Sequence, residues 1–563
     1  MTWGKRRAIV IGIVVLFLAG GFWLVWQPAR LAPDSVLVID ADGQINEQQQ
    51  NDLLHALNGH QPVLHDYLDA IDAAARDPRI AGIVVRVAPL QTGWGKIEEI
   101  RSHLIQFQKS GKPSICYLGY DGIGNPEYFL ATGCSQIWLV PTVPVGIRGM
   151  MAEALFLRGS LDKLKIVPEY YHIAQYKTAA NTYTEKKFTP AHKEEVESLL
   201  QSVYHEYIAG AAAARKMPPD KFQKLVEQGP LLTSQAVQSG LVDRLAYWDQ
   251  VQDYFKRGRR KWRPISVEQY RRFVNPPDAG PWIAVVHATG DIVSGSSQNS
   301  PTGGFIMGGD TVASELRAAR ENPAIKAIVL RIDSGGGSVA GSEVIRREVE
   351  LADGVKPVVA SMSDVAASGG YWIAAPARKI VADPDSITGS IGVLIGKFNI
   401  SGLYALLGMS TDYVATSDNA TIFSDQQNFT PEQQVLIQKS LNETYAEFTQ
   451  GVARGRHMSV QAVDNIAKGR VWSGAQARKI GLVDQLGGLD TAIDVAKELA
   501  HIPASETVRI VRYPQEKTFW QLLIEHKENI SASASSSIQS TLQQIIASSG
   551  TIQARMPYHL TIR

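Results

Sequence analysis

NPAIKAIVLRI at 322–332 has a counterpart about 245 residues earlier, DPRIAGIVVRV at 77–87. Each opens on Asn or Asp before proline, a turn signal, and runs into β-branched residues interrupted late by an arginine. The correspondence extends outward. EEIRSHL (98–104) matches SEVIRRE (342–348), GKPSICYL (111–118) matches VKPVVASM (355–362), and SQAVQSGLVDRL (234–245) matches AQARKIGLVDQL (475–486). The order is kept and the offset is nearly constant, which is the signature of a duplication. Within each copy, short apolar runs such as IAVVHA (283–288) and PVVASM (357–362) alternate with stretches of helical period. Apolar strands alternating with helices imply βα units and parallel sheets covered on both faces. The expected fold is therefore α/β, as two tandem homologous domains spanning 30–255 and 282–510.

A chain of 563 residues exceeds what one hydrophobic core supports, in keeping with two domains. Between the copies lies KRGRRKWRPISVEQYRRFVNPPDAGP (256–281), basic and closed by prolines and glycine, which reads as a linker. Its charge fits a solvated face, with contact to anionic lipid as the minor reading. Residues 511–563 form a tail whose serine-rich part, SASASSSIQSTLQQIIASSG (531–550), reads as peripheral. Net charge is +1, with 56 Lys and Arg against 55 Asp and Glu, so no whole-chain field invites nucleic acid. Cys116 and Cys134 have neither zinc-site nor disulfide-framework spacing, and read as core thiols, with a bridge between them the minor reading. At the front, Lys5, Arg6 and Arg7 precede an uncharged run at 8–26. As a helix that run would reach roughly 28 Å, about one bilayer core. Residues 1–29 are thus expected to be a basic cytoplasmic start and an uncleaved transmembrane anchor, with a cleaved signal peptide as the rival reading and the rest of the chain outside.

The densest chemical signal is KPVVASMSDVAASGGYWIAAP (356–376). A buried strand is expected to end at Met362, and Ser368 precedes two glycines and an apolar run that can continue as helix. A hydroxyl at a helix N-terminus meets free N–H groups and the positive end of the dipole, which favour developing negative charge. Gly369 can turn its N–H toward an oxyanion, as in nucleophile-elbow turns. The same position equally suits an N-cap serine. A second loop, RIDSGGGSVAGS (331–342), makes Gly336 a candidate for a further oxyanion contact, against the plainer reading of a tight strand-to-helix turn. It lacks the Gly-Lys-Ser/Thr ending of a nucleotide phosphate loop. Ser338 comes near a Gly-x-Ser-x-Gly elbow but has Ala340 at the last position.

No histidine supports a conventional triad. His55, His60 and His65 recur every five residues, which spreads them around a helix, and no HExxH metal motif occurs. No metal or cofactor is expected. A serine nucleophile here needs another base, and Ser–Lys arrangements supply one.

The two glycine loops, AASGGYWIAAP and DSITGSIGV (385–393) resemble the protease domain of the signal peptide peptidase A (protease IV) family, within the ClpP/crotonase superfamily. The resemblance covers most of 35–500. It implies tandem ClpP/crotonase-like domains of repeated ββα units, with the nucleophile in the second half and a lysine in the first, within a Tyr-Lys-Ser/Thr-Ala segment. QYKTA (175–179) matches that segment. By resemblance, Ser368 is the nucleophile, Lys177 the base and Ser390 the residue whose hydroxyl orients the lysine. The resemblance further implies a membrane-anchored endopeptidase that degrades apolar peptides such as cleaved signal peptides. Its place would be the periplasmic side of a bacterial inner membrane, and its assembly a homo-oligomer, a tetramer in the family. A crotonase-like acyl-CoA enzyme and a catalytically silent membrane scaffold are the alternatives. One departure is visible: the family's Ser-Pro-Gly-Gly is here Ser334, Gly335, Gly336 and Gly337. Losing the proline costs under ~1 kcal/mol through unfolded-state entropy.

The duplication divides the labour independently. Aligning 112–130 with 356–374 sets Gly124 opposite Ser368, and YVATSDNATI (413–422), opposite the lysine segment, has no lysine. Each half lacks what the other carries. A lysine acting as base must be neutral, and each unit by which its pKa falls costs ~1.4 kcal/mol, so burial away from carboxylates is expected, with Glu185 and Asp333 turned elsewhere.

Overall fold

The computed structural model describes residues 31–49, 61–259, 261–274, 279–299, 305–515, 552–556 and 561–562. In the first half the chain runs β1 (Ser35–Gly43), α1 (Leu64–Arg76), β2 (Ile80–Leu90), α2 (Trp94–Gln108), β3 (Ser114–Leu118), α3 (Asn125–Ala131) and β4 (Gln136–Leu139). After these come β5 (Val167–His172), α4 (Pro190–Ala214), β6 (Arg244–Leu245) and β7 (Pro264–Ser266). Six strands form a sheet in the order β6-β4-β3-β2-β1-β7, every neighbouring pair parallel. Its central strands carry Ile83, Val84, Val85 and Ile115 with no exposure, as a sheet covered on both faces requires. Each such side chain contributes ~1.5–3 kcal/mol relative to an exposed one.

The second half continues with β8 (Trp282–Thr289), β9 (Asp291–Val293), β10 (Phe305–Gly308), α5 (Gly309–Glu321), β11 (Ile325–Ser334), β12 (Gly336–Ser338), α6 (Val339–Asp353), β13 (Val358–Ala367) and α7 (Gly369–Ala374). It then adds β14 (Lys379–Ala382), β15 (Ile387–Gly389), β16 (Leu394–Asn399), α8 (Pro431–Arg456), β17 (Val471–Ser473), β18 (Arg509–Tyr513) and β19 (Gln553–Arg555). Its main sheet runs β17-β15-β13-β11-β8-β18, with β14 on β13. Corresponding helices even start alike. Thr189 and Thr430 each precede a proline at the helix start, and each hydroxyl accepts from the backbone N–H three residues on, at His192 and Gln433.

Three sequence expectations change. Pro264–Ser266, inside the basic linker, pairs with β1 as β18 pairs with β8, so this segment is the edge strand of its own half. The strand expected to stop at Met362 runs on to Ala367, because 359–362 pair with β14 and 365–367 then pair with β15. Cys116 in β3 and Cys134 just after α3 are joined by a disulfide rather than remaining thiols. The helix between them folds back on its strand and brings the Cα atoms to 5.7 Å. The anchor expected at 8–26 lies outside the described residues. Among those described, no helix is long and apolar enough to cross a membrane.

Two features lock the halves together. A further sheet contains β10, β9, β12, β19, β16 and β5 in that order, and there β5 of the first half runs antiparallel to β16 of the second. Charged groups also meet between the halves. Arg331 of β11 is fully buried and donates to Glu47 at 2.8 and 3.1 Å, to Glu99, and to Ser361 Oγ at 3.0 Å. Lys96 reaches Asp333 at 2.6 Å and Asp364 at 2.9 Å, while Asp364 accepts from the N–H groups of Gly93 and Lys96 at the start of α2.

Candidate active site

Strand β13 delivers Ser368 into a backbone conformation that side chains rarely adopt, φ 56° and ψ −113°. Such a residue costs of order 1–3 kcal/mol and persists only where its surroundings dictate it. Here Ser368 N donates to Gly389 O at 2.8 Å, and its carbonyl accepts from Trp372 N at 2.8 Å, opening α7. No N–H of α7 reaches its hydroxyl, so the N-cap reading of this serine does not describe its side chain. The oxygen instead faces an amine, with Lys177 Nζ standing 2.6 Å from Ser368 Oγ. The same nitrogen donates to the carbonyl of Ser390 at 3.0 Å and to its hydroxyl at 3.1 Å. Ser368, Lys177 and Ser390 are all fully buried.

The lysine comes from the first half, five residues beyond β5, and a loop of the second half holds its backbone. Tyr176 N donates to Lys468 O at 3.1 Å. Gly469, at φ 84°, lies so close that a Cβ there would come within 2.4 Å of Lys177 N, so only glycine permits the approach. Gly392 closes on the stem in the same way, 3.2 Å from Lys177 Cδ to a Cβ built there.

Burial drives the Lys177 pKa well below its ordinary value. One carboxylate opposes it, and it is Glu195 on α4, which sequence reasoning missed, rather than Glu185 or Asp333. Asp333 faces Lys96. Burial pushes Glu195 itself up to about 8, against the Thr178 hydroxyl, which donates at 2.9 Å, and the Val471 N–H. Below that pH its carboxyl is mostly uncharged and exerts little pull on the lysine. Above it the carboxylate forms and favours the ammonium. Glu195→Gln is therefore expected to leave the acid limb of the kcat/KM profile nearly in place and to raise activity only on the alkaline side, above about pH 8, where the wild-type carboxylate forms. A profile identical to wild type would show that the two groups do not communicate.

The remaining sequence candidates sort clearly. Gly369 is the first residue of α7. Gly336, at φ 97°, adjoins it, since a Cβ on Gly336 would lie 2.6 Å from Gly369 N. Its own N–H donates to Ser334 Oγ at 3.1 Å. Ser338 caps α6, accepting from Gly341 N at 3.2 Å, and faces Ser294 rather than Lys177. In the first half, Gly124 opens α3 as Ser368 opens α7, and there Glu127 accepts from Gly124 N at 2.8 Å and Leu90 N at 2.7 Å. Gly392 lies within the quoted DSITGSIGV motif, but nothing in the sequence marked Gly469 or tied either glycine to the lysine, because close approach between distant loops leaves no local pattern.

Residues 106–260 and 350–503 match the model of Peptidase family S49. The chain is 31% identical over 566 residues to the chloroplastic serine protease SPPA of Arabidopsis thaliana, covering 99% of this chain and 82% of that protein. It is 35% identical over 456 residues to protease 4 of Salmonella typhi, covering 78% and 72%. With protease 4 of Haemophilus influenzae it shares 30% over 524 residues, covering 88% and 83%. Since the family model matches once in each repeat and the likeness to these proteases extends over most of their length, the chain belongs to peptidase family S49, the signal peptide peptidase A group of serine proteases.

Proposed function

We propose that Ser368 is the nucleophile and Lys177 the general base of a Ser–Lys endopeptidase assembled across two ClpP/crotonase-like halves. The observation that carries this reading is the 2.6 Å approach of a fully buried amine to a serine hydroxyl held in strained backbone. Neutral Lys177 takes the Ser368 proton as Oγ attacks a peptide carbonyl, and later gives it to the departing amine. Ser390 orients the lysine through its carbonyl and hydroxyl. The Gly369 N–H, at the positive end of α7, meets the oxyanion. Gly336 contributes close approach more than its own N–H, which Ser334 engages. Water then releases the acyl group.

The substrates in this reading are apolar peptides such as cleaved signal peptides. The basic triplet and uncharged run at 8–26 support a bilayer anchor with the catalytic halves on the periplasmic face of a bacterial inner membrane. A homo-oligomer, a tetramer as in the family, completes the picture. The full chain in detergent is expected to cleave internally quenched apolar peptides and to be labelled by a fluorophosphonate at Ser368. Ser368→Ala should do neither. Undiminished hydrolysis by Ser368→Ala, or label found on Ser338 instead, would overturn the assignment.

A further inference from the structure

One short stretch of backbone, 468–472, links Lys177, Ser390, Glu195 and Ser368. Lys468 O accepts from the N–H of Tyr176, the residue before the lysine, and Gly469 admits the Lys177 backbone. Arg470 O accepts from Ser390 N at 2.7 Å. Val471 N donates to Glu195 at 3.3 Å. Val471 also pairs with Gly389, whose carbonyl accepts from Ser368 N at 2.8 Å. The stretch belongs to the second half, whereas Tyr176, Lys177 and Glu195 belong to the first. The geometry of the site therefore depends on how the two halves are held at this point.

The Arg470 side chain reaches across. Its guanidinium carbon lies 4.9 Å from the centroid of the Tyr176 ring and 4.6 Å from that of Trp472, so the cation meets one aromatic ring from each half. Its Nη1 donates to Glu194 on α4 at 2.8 Å and to the Tyr176 hydroxyl at 3.4 Å. That hydroxyl in turn donates to Glu194 at 3.0 and 3.1 Å. Arg470, Tyr176 and Glu194 close a triangle, and its two first-half corners stand immediately before Lys177 and Glu195 in the sequence. The Glu194 side chain is 56% exposed, and an ion pair open to water contributes little by charge alone. A flat cation that stacks and hydrogen-bonds at once fixes direction as well as distance.

We propose that Arg470 is a positioning residue that sets where Lys177 stands against Ser368, by clamping Tyr176 and Glu194 of the first half to the second-half loop. The proposal rests on the Ser368 and Lys177 reading above. Lys177 Nζ bonds to Ser368 Oγ and to the carbonyl and hydroxyl of Ser390, all in the second half. Its reach is therefore set by how closely the first-half segment is drawn to 468–472. Without the clamp the segment lifts from Gly469, the amine draws away from Ser368 Oγ, and water reaches it. A misplacement of about 1 Å costs up to about 10²-fold in rate. Hydration also restores the preference for the ammonium, so the amine becomes neutral only at higher pH. Arg470 favours the charged form of Glu195 as well. Losing it keeps that carboxyl uncharged to higher pH, an effect confined to the alkaline side.

Steady-state kinetics of the full chain in detergent, on an internally quenched apolar peptide across the pH range, tests this. Arg470→Met keeps an apolar stem against the two rings and drops the charge and the planar fork. It is expected to lower kcat at neutral pH by about tenfold to 10²-fold. The acid limb of kcat/KM should move up by at least about half a pH unit, with KM within about twofold of wild type. Glu194→Gln should act in the same direction more weakly, and the double variant should lose no more than Arg470→Met alone, because both changes break one unit. Thermal midpoints check that each variant is folded. A folded Arg470→Met whose acid limb has not moved overturns the proposal, since a merely structural contact would leave the lysine's titration unchanged. Losses that multiply in the double variant overturn the clamp through Glu194. Wild-type hydrolysis by Lys177→Met would instead overturn the base assignment on which the proposal rests.

Discussion

Lys177→Met is expected to lower kcat on an apolar peptide by at least about 10⁴-fold, the scale on which members of a serine–base unit fail when removed singly. Methionine fills the volume of the lysine stem between Gly392 and Gly469, so the fold around it is retained. What disappears is the amine nitrogen 2.6 Å from Ser368 Oγ. In barrier terms the loss is ~5.5 kcal/mol. KM should change far less than kcat, because the amine meets the reacting atoms rather than the peptide backbone. In the wild type, activity is expected to fall as acid protonates the lysine. Burial has lowered that pKa, so the fall comes at lower pH than an ordinary lysine would give. A loss below tenfold in Lys177→Met would mean that another group serves as base.

The largest stability effect is expected at Arg331→Met. Its guanidinium is the shared partner of Glu47 and Glu99 in a fully buried cluster between the halves. Burial alone would push Glu47 up, but Arg331 holds it below its ordinary value. With the arginine gone, two carboxylates are left in the interior, a change that costs ~3–5 kcal/mol. The pH dependence has a fixed sign. A carboxylate with a depressed folded pKa contributes stability above the unfolded value, and loses it as pH falls through the folded one. Arg331→Met removes that depression, so its deficit against wild type should grow as pH rises above the ordinary carboxylate range. Thermal midpoints across pH 4 to 8 read it directly. Adding Glu47→Gln and Glu99→Gln should recover much of the loss. A single variant within ~1 kcal/mol of wild type at neutral pH would show that water or relaxation takes over the role of Arg331.

Much of this architecture was legible because duplication writes the same βα pattern twice, and a parallel strand buried on both faces must be apolar almost throughout. Ser368 and Lys177 were marked by short motifs in separate halves, and the fold sets them side by side. What local sequence does not carry is contact between distant segments. Glu195 looks like any acid on a long helix until α4 packs beside the lysine segment. Cys116 and Cys134 meet only because α3 reverses the chain. Pro264–Ser266 is too short, and lies in too basic a stretch, to read as a strand, yet it takes its place because β1 offers an unpaired edge. The same holds for Gln553–Arg555, whose three residues have no strand signature and gain one from the slot they fill.

The antiparallel pairing of β5 with β16 has a consequence for concentration. Where two separate molecules each lend half of a reactive pair, dilution separates them and the chemistry fades with it. Here a peptide backbone joins the two lenders, so the amine and the alcohol stay together however dilute the protein becomes.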